Sequence, residues 1–161
     1  MSPGRKLRIG VLGPGAASSD ALAVADEVGA EIARQGAILV CGGLGGVMEA
    51  AARGAKLAGG LTVGIVPGIE AGEANAFIDV PVVTGMGEAR NVLVVRSSDA
   101  VIAIAGSYGT LSEIAVALKI RVPVVGLGTW ELRGPDGTEP PIIRAGSPRE
   151  AVAKAIEVAR S

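Results

Sequence analysis

"DAVIAIAGSYGTLSEIAVALKIRVPVVGLG", residues 99–128, decides how the fold is read. An apolar run (99–106) passes through a Gly-rich turn into a segment with helical spacing (110–121), and a second apolar run follows (122–128). Strand, helix and strand in that order form a β-α-β unit. Runs that are apolar without alternation belong to strands covered on both faces, as in parallel sheets. The turn poses its own question. Thr110-Leu111-Ser112-Glu113 has the T-x-x-E form of a capping box, in which the carboxylate serves the helix's own amides. The glycines before it also suit an anion held at a helix N-terminus. Glu113 therefore serves either the helix or a ligand.

The same rhythm extends outward from this unit. "LRIGVLG" (7–13) reads as a strand, and 18–36 as a helix capped by Ser18 or Ser19 and stopped by Gly36. A strand over 37–43, a helix over 45–60 and a strand over 61–68 follow. A short strand near 78–83 and a helix at 88–97 lead back to the opening unit. "TWELRGPDGTEPP" (129–141) reads as a polar turn or hairpin insert, and 147–160 as a closing helix with Pro148 in its first turn. Alternation of this kind predicts an α/β fold with right-handed crossovers. It is one doubly wound, mostly parallel, Rossmann-like sheet of about six or seven strands, with helices on both faces. A single domain over 1–161 is expected.

Composition narrows the function. Hydrophobic residues are 49% and charged residues 19%, the balance of a folded chain that buries about 70% of its unfolded surface. Aromatic residues are only 2%, so Val, Ile, Leu and Ala must build the core. The net charge is -1 with no basic block, so nucleic acid is not an expected partner. The apolar runs are short and broken by glycine, and the N-terminal stretch lacks the form of a signal peptide. A cytoplasmic protein without membrane association is expected. With no histidine and one cysteine, the chain has no Ser-His-Asp triad, no Cys-His dyad, no internal disulfide and none of the commonest zinc sites. No metal ligands are expected. Cys41 lies in apolar "AILVCGG" and reads as a small buried hydrophobe. Chemistry is left to carboxylates, Arg, Lys, hydroxyls and main-chain amides.

In doubly wound sheets a ligand sits beyond the carboxyl ends of the strands, where strand order switches. Three Gly-rich turns fall at such ends. In "GPGAASSD", Gly13 and Gly15 begin a dinucleotide fingerprint, but Ser18 stands where the third glycine belongs and no acidic residue closes the second strand. The fingerprint of an NAD site is therefore incomplete. In "CGGLGGVMEA", Gly42, Gly43, Gly45 and Gly46 let the backbone approach either a ligand or a neighbouring loop, and Glu49 complements a helix dipole. In the opening stretch, Gly106, Ser107 and Gly109 leave amides free, and the Ser107 and Thr110 hydroxyls add donors for an anion. Arg90, in "TGMGEARN", is a cation near a helix start, where the dipole disfavours it. It calls for a partner: a ligand, Glu113, or Glu88 in a surface pair of little energetic weight.

"CGGLGGVMEAAARGA", "GGLTVGIVPG", "TGMGEARN" and "GSYGTLSE", in that order, resemble the Rossmann-fold Lonely Guy superfamily, also named after lysine decarboxylase. Within it the chain is similar to the small branch that includes molybdenum cofactor carrier proteins. The likeness spans roughly residues 7–128. The enzymes of the superfamily carry P-G-G-x-G-T-x-x-E and an Arg-Lys pair, and hydrolyse the N-glycosidic bond of nucleoside 5'-monophosphates. The resemblance implies that Gly106, Gly109 and Thr110 hold phosphate, that Glu113 acts on ribose or water, and that Arg90 orients charge. Here Ala105 replaces the proline, Ser107 the second glycine and Asn91 the lysine. Asn91 removes a charge from the site, which suits a carrier-like pocket that binds a phosphate-bearing pterin without chemistry.

Two functional readings follow, with a third in which an oligomeric scaffold keeps a vestigial pocket. The first is a carrier-like binder of a phosphate-bearing small molecule, a nucleotide or molybdenum cofactor, with no further cofactor required. The second is a nucleoside 5'-monophosphate phosphoribohydrolase with Arg90 and Glu113 catalytic. Lysine decarboxylation is not expected, because none of Lys6, Lys56, Lys119 and Lys154 sits at a predicted strand end to hold pyridoxal phosphate. The segments "IAVALKI" and "NVLVV" are apolar nearly all round and need burial beyond one sheet face. A homodimer or higher homo-oligomer is expected, as the resemblance also implies.

Overall fold

The structure, a computed structural model, describes residues 4–161; Met1 to Pro3, the start of the N-terminal stretch, lie outside the described residues. Seven strands form one sheet in the order β4-β3-β2-β1-β5-β6-β7. They are β1 Arg8–Leu12, β2 Ile38–Cys41, β3 Thr62–Val66, β4 Val80–Val83, β5 Ala100–Ile104, β6 Val124–Leu127 and β7 Ile142–Arg144. Every neighbouring pair is parallel. The helices are α1 Ser19–Arg34, α2 Val47–Leu57, α3 Asn91–Arg96, α4 Tyr108–Ile120 and α5 Pro148–Arg160.

The side chains of each central strand alternate between two apolar layers. Ile9 and Val11 of β1 and Ile102 and Ile104 of β5 pack beneath α1, α2 and α5. Leu12, Val101 and Ala103 face α3 and α4. Burial of both faces, expected from the unbroken apolar runs, is complete along β5. It does not extend to β4, where Val80, Val82 and Val83 are exposed because the strand is an edge with no neighbour beyond it. Among the described residues, no helix is long and apolar enough to cross a membrane.

Small residues set the spacing of the helical layer. A Cβ on Gly29 would lie 1.9 Å from the Ala51 carbonyl oxygen, and one on Gly54 would lie 1.9 Å from that of Asp26. The α1 and α2 backbones therefore touch at these two points, and the Arg53–Asp26 ion pair, at 2.7 Å, ties the same helices at their rim.

Capping follows local chemistry. Ser18 caps α1 through its side chain, and Gly36, at φ +74°, turns the chain out of it. Ser147 caps α5 ahead of Pro148. The 88–97 helix is observed as a 3-10 turn, Gly87–Arg90, continuing into α3. The hairpin alternative for 129–141 is not realised. A local turn closes there, with the Gly134 amide donating to the Thr138 carbonyl at 2.8 Å, but the chain then returns to add β7 parallel to β6. Parallel pairing needs this long return, which a tight hairpin would not allow.

Candidate functional site

The strand order reverses at β1, whose neighbours are β2 on one side and β5 on the other. Beyond the carboxyl ends of β1 and β5 opens a cleft of about 800 Å³. That is ample for a small-molecule ligand, whose sites span roughly 300–1,000 Å³. The turn after β1 and the starts of α3 and α4 form its walls.

The turn after β5 is shaped by an uncommon backbone state. Ala105, not a glycine, has φ +53°, which re-aims the chain out of the strand. Its carbonyl accepts a hydrogen bond from the Thr129 hydroxyl, which holds the turn in place. Gly106 follows with its backbone against Trp130, where a Cβ would lie 2.6 Å from the indole Nε1. Ser107 then caps α4: its Oγ accepts the Thr110 amide at 3.3 Å and lies 3.1 Å from the Thr110 hydroxyl. The helix thus begins at Tyr108, three residues earlier than the T-x-x-E spacing implied. Thr110 is not the cap and Glu113 is not part of a capping box. Tyr108 and Gly109 keep amides with no acceptor among the described residues, at the positive end of a thirteen-residue helix.

Glu113 is 8% exposed and lines the cleft, with no hydrogen bond or ion pair among the described residues. Burial pushes its carboxyl up to about 7, against the opposing pull of the Arg90 charge. Arg90 is 9% exposed and lines the same cleft. Its Nη1 donates to the Asn91 Oδ1, its Nη2 donates to the Gly42 carbonyl at 3.4 Å, and its buried Nε has no partner among the described residues. It pairs with neither Glu88 nor Glu113 as an ion pair. Asn91 links the cation to α4: its Nδ2 donates to Ser112 Oγ at 3.2 Å, and that hydroxyl donates to the Gly109 carbonyl at 2.7 Å.

The cleft therefore brings together Gly13, Arg90, Asn91, Ser107, Gly109, Thr110 and Glu113 from three separate stretches of sequence. Gly42, Gly43, Gly45, Gly46 and Gly106 are not among its lining residues. The chain's own atoms explain several of these glycines. A Cβ on Gly42 would meet Met48 Sδ at 2.7 Å and Arg90 Nη2 at 2.9 Å, and one on Gly46 would meet the Pro14 carbonyl oxygen at 2.3 Å. Gly13 is similarly pressed against Val47. Cys41 is buried, and desolvation raises its thiol to about 12, so it is an inert apolar filler as its setting indicated.

Residue-type reasoning passed over Ser112 and two aromatic rings. Tyr108 lines the cleft and stacks on Trp130, with ring centroids 6.2 Å apart and planes at 26°. The signal was present: each is the only residue of its type in the chain.

An all-parallel, doubly wound sheet with its cleft at the switch of strand order makes this a Rossmann-like α/β protein. The chain belongs to the SLOG cluster4 family, whose description matches residues 6–157. That match and the likeness to two molybdenum cofactor proteins of known structure bear out the superfamily resemblance and its carrier-protein branch. A relative from Archaeoglobus fulgidus, described only as an uncharacterized protein, is 44% identical over 151 residues, covering 91% of this chain and 92% of its own. The molybdenum cofactor binding protein from the phototrophic bacterium Rippkaea orientalis superposes with a TM-score of 0.88 at 40% identity, covering 98% of this chain and 99% of its own. The molybdenum cofactor carrier protein of Chlamydomonas reinhardtii gives 0.84 at 36% identity, covering 98% and 100%.

Proposed function

We propose that the chain binds a molybdenum cofactor-type ligand, a phosphate-bearing pterin, in the cleft at the ends of β1 and β5, and carries it in the cytoplasm without transforming it. The observation that carries this reading is that the Arg90 guanidinium and the Tyr108 and Gly109 amides, which have no acceptor among the described residues, line one cleft. The Arg90 charge gives that space a cation for an anionic group of the ligand. The free amides of Tyr108 and Gly109 offer further donors to a phosphate, favoured by the α4 dipole. The likeness to proteins described as binding or carrying molybdenum cofactor supplies the chemical class.

The test uses molybdenum cofactor released from a molybdoenzyme. Incubation with the purified protein followed by gel filtration is expected to bring molybdenum through with the protein, and Arg90→Ala to abolish that co-elution. Molybdenum that elutes apart from the wild-type protein overturns the reading.

One observation favours a second reading. Glu113, unpaired beside Arg90 with its carboxyl near 7, is poised as a general acid or base at neutral pH. In that reading the protein is a nucleoside 5'-monophosphate phosphoribohydrolase. Water adds to the anomeric carbon of the ribose, the base leaves with a proton, and Glu113 handles that proton. Adenine release from AMP, lost in Glu113→Ala and Arg90→Ala, supports it; no release from AMP eliminates it.

We also propose a homodimer or larger homo-oligomer. Val92 on α3 is exposed, and Val116, Leu118 and Ile120 on α4 are only half-buried. Sedimentation of a single 15.9 kDa species would remove this proposal.

A further inference from the structure

We infer that the Tyr108 ring, backed by Trp130, is the platform on which the planar heterocycle of the ligand stacks. The inference rests on the ligand reading above and adds the residue that recognises the ring. The chain has one Tyr, one Trp and one Phe, so its core owes almost nothing to aromatic packing. Yet two of these three rings meet beside the cleft, Tyr108 lining it and Trp130 supporting it from behind. Tyr108 is 84% exposed, an unusual place for a chain's only tyrosine if packing were its purpose.

Its support is built rather than incidental. The indole Nε1 of Trp130 donates to the Ser107 carbonyl at 3.1 Å, which fixes Trp130 against the turn before α4. Gly106 leaves the space the indole occupies. Tyr108 stacks on that anchored ring at 6.2 Å, within the separation at which offset aromatic pairs attract. Among the described residues, no other aromatic ring lines the cleft.

The placement also has the right connectivity. The ring belongs to the first residue of α4, whose own amide and that of Gly109 are free. One short segment thus offers main-chain donors for a phosphate and a π-face for the flat end of the same molecule. Aromatic faces hold nitrogen heterocycles without reading their edges, so pterins and purines are both accepted.

Three probes separate the parts of this claim: neopterin monophosphate, AMP, and glycerol phosphate as a ring-free control. Trp130 is the only indole, so its emission reports on the platform directly. Calorimetric titration is expected to show tighter binding of a ring-bearing phosphate than of glycerol phosphate, with a change in Trp130 emission for the ring-bearing probe only. Tyr108→Ala is expected to weaken the ring-bearing probe about tenfold, the loss of one stacking contact. Its affinity for glycerol phosphate is retained, because the main-chain amides remain, and Tyr108→Phe keeps the wild-type preference. The platform is overturned if Tyr108→Ala keeps the preference for rings, or if it loses both kinds of probe equally. If wild-type protein binds none of the three and takes up no molybdenum cofactor, the ligand reading itself fails and the platform falls with it.

Discussion

Ser107 closes the start of α4 by accepting the Thr110 amide at 3.3 Å, and this single bond releases Glu113 from any structural duty at the helix terminus. Glu113 lies more than a turn beyond the cap, buried and unpaired on the wall of the cleft, where Arg90 supplies charge but not an ion pair. A buried carboxyl in that position costs stability when ionised, which makes it a group retained for the site rather than for the fold.

The cap assignment separates two substitutions. Ser107→Ala is expected to cost about 1 kcal/mol in urea unfolding, the usual worth of a side-chain N-cap. Glu113→Ala should show no such cap loss. Equal destabilisation by both at pH 5 would restore Glu113 to a helix-capping role.

The Glu113 carboxyl sets a pH dependence with a definite sign. Its ordinary value is 4.5 and burial raises it to about 7, so the folded chain holds this proton more tightly than the unfolded one. The resulting stabilisation is complete below the unfolded value and is lost as pH rises through 7. Glu113→Gln removes the ionisation, so the variant should gain on wild type by roughly 2–3 kcal/mol between pH 5 and pH 8. Denaturant unfolding at the two pH values measures this gain, and parallel profiles for the two proteins would contradict it.

Arg90 acts on Glu113 through its field. Its charge lowers a carboxyl that burial alone would raise further. In Arg90→Met the stem remains but the charge is gone, so the Glu113 titration followed by carboxyl-carbon NMR should move above its wild-type midpoint. An unchanged midpoint would mean the two groups are screened from each other.

The contact of α1 with α2 has no slack. Gly29→Ala drives a methyl to within 1.9 Å of the Ala51 carbonyl oxygen, a backbone atom that cannot swing aside. A loss of about 1–3 kcal/mol or more is expected from such overpacking. Gly15→Ala, where nothing lies within 4 Å of the added atom, is the control. Thermal unfolding that ranks the two variants equally would show that the helices move apart freely.

Most of the architecture was legible because it rests on local pattern. Six of the seven strands announce themselves as apolar runs and four of the helices as amphipathic or capped segments. β7 escaped because three residues after Pro140-Pro141 carry almost no periodic signal, and its strand character comes from pairing with β6. The exposed edge at β4 was also illegible, since Val80–Val83 is apolar like the interior strands and only its place in the sheet order distinguishes it.

Glycines divide in the same way. A run such as Gly42–Gly43–Leu44–Gly45–Gly46 signals close backbone approach, but it does not say to what. For Gly42 the neighbours are Met48 and Arg90, and for Gly46 the Pro14–Gly15 turn. These contacts join residues far apart in the chain, beyond the reach of any spacing rule.

The alternation of strand and helix, the parallel sheet, the absence of histidine and of an internal disulfide, and a short set of motifs in family order are written in the chain itself. Those follow from residue type and spacing, which act over a few neighbours. Folding in three dimensions sets the rest: Ser107 and not Thr110 caps α4, Arg90 bonds Asn91 and Gly42 while its Nε has no partner among the described residues, and Tyr108, lining the cleft, rests on Trp130. Each depends on which chain segments meet at the ends of β1 and β5. Burial, desolvation and hydrogen-bond satisfaction are properties of that meeting.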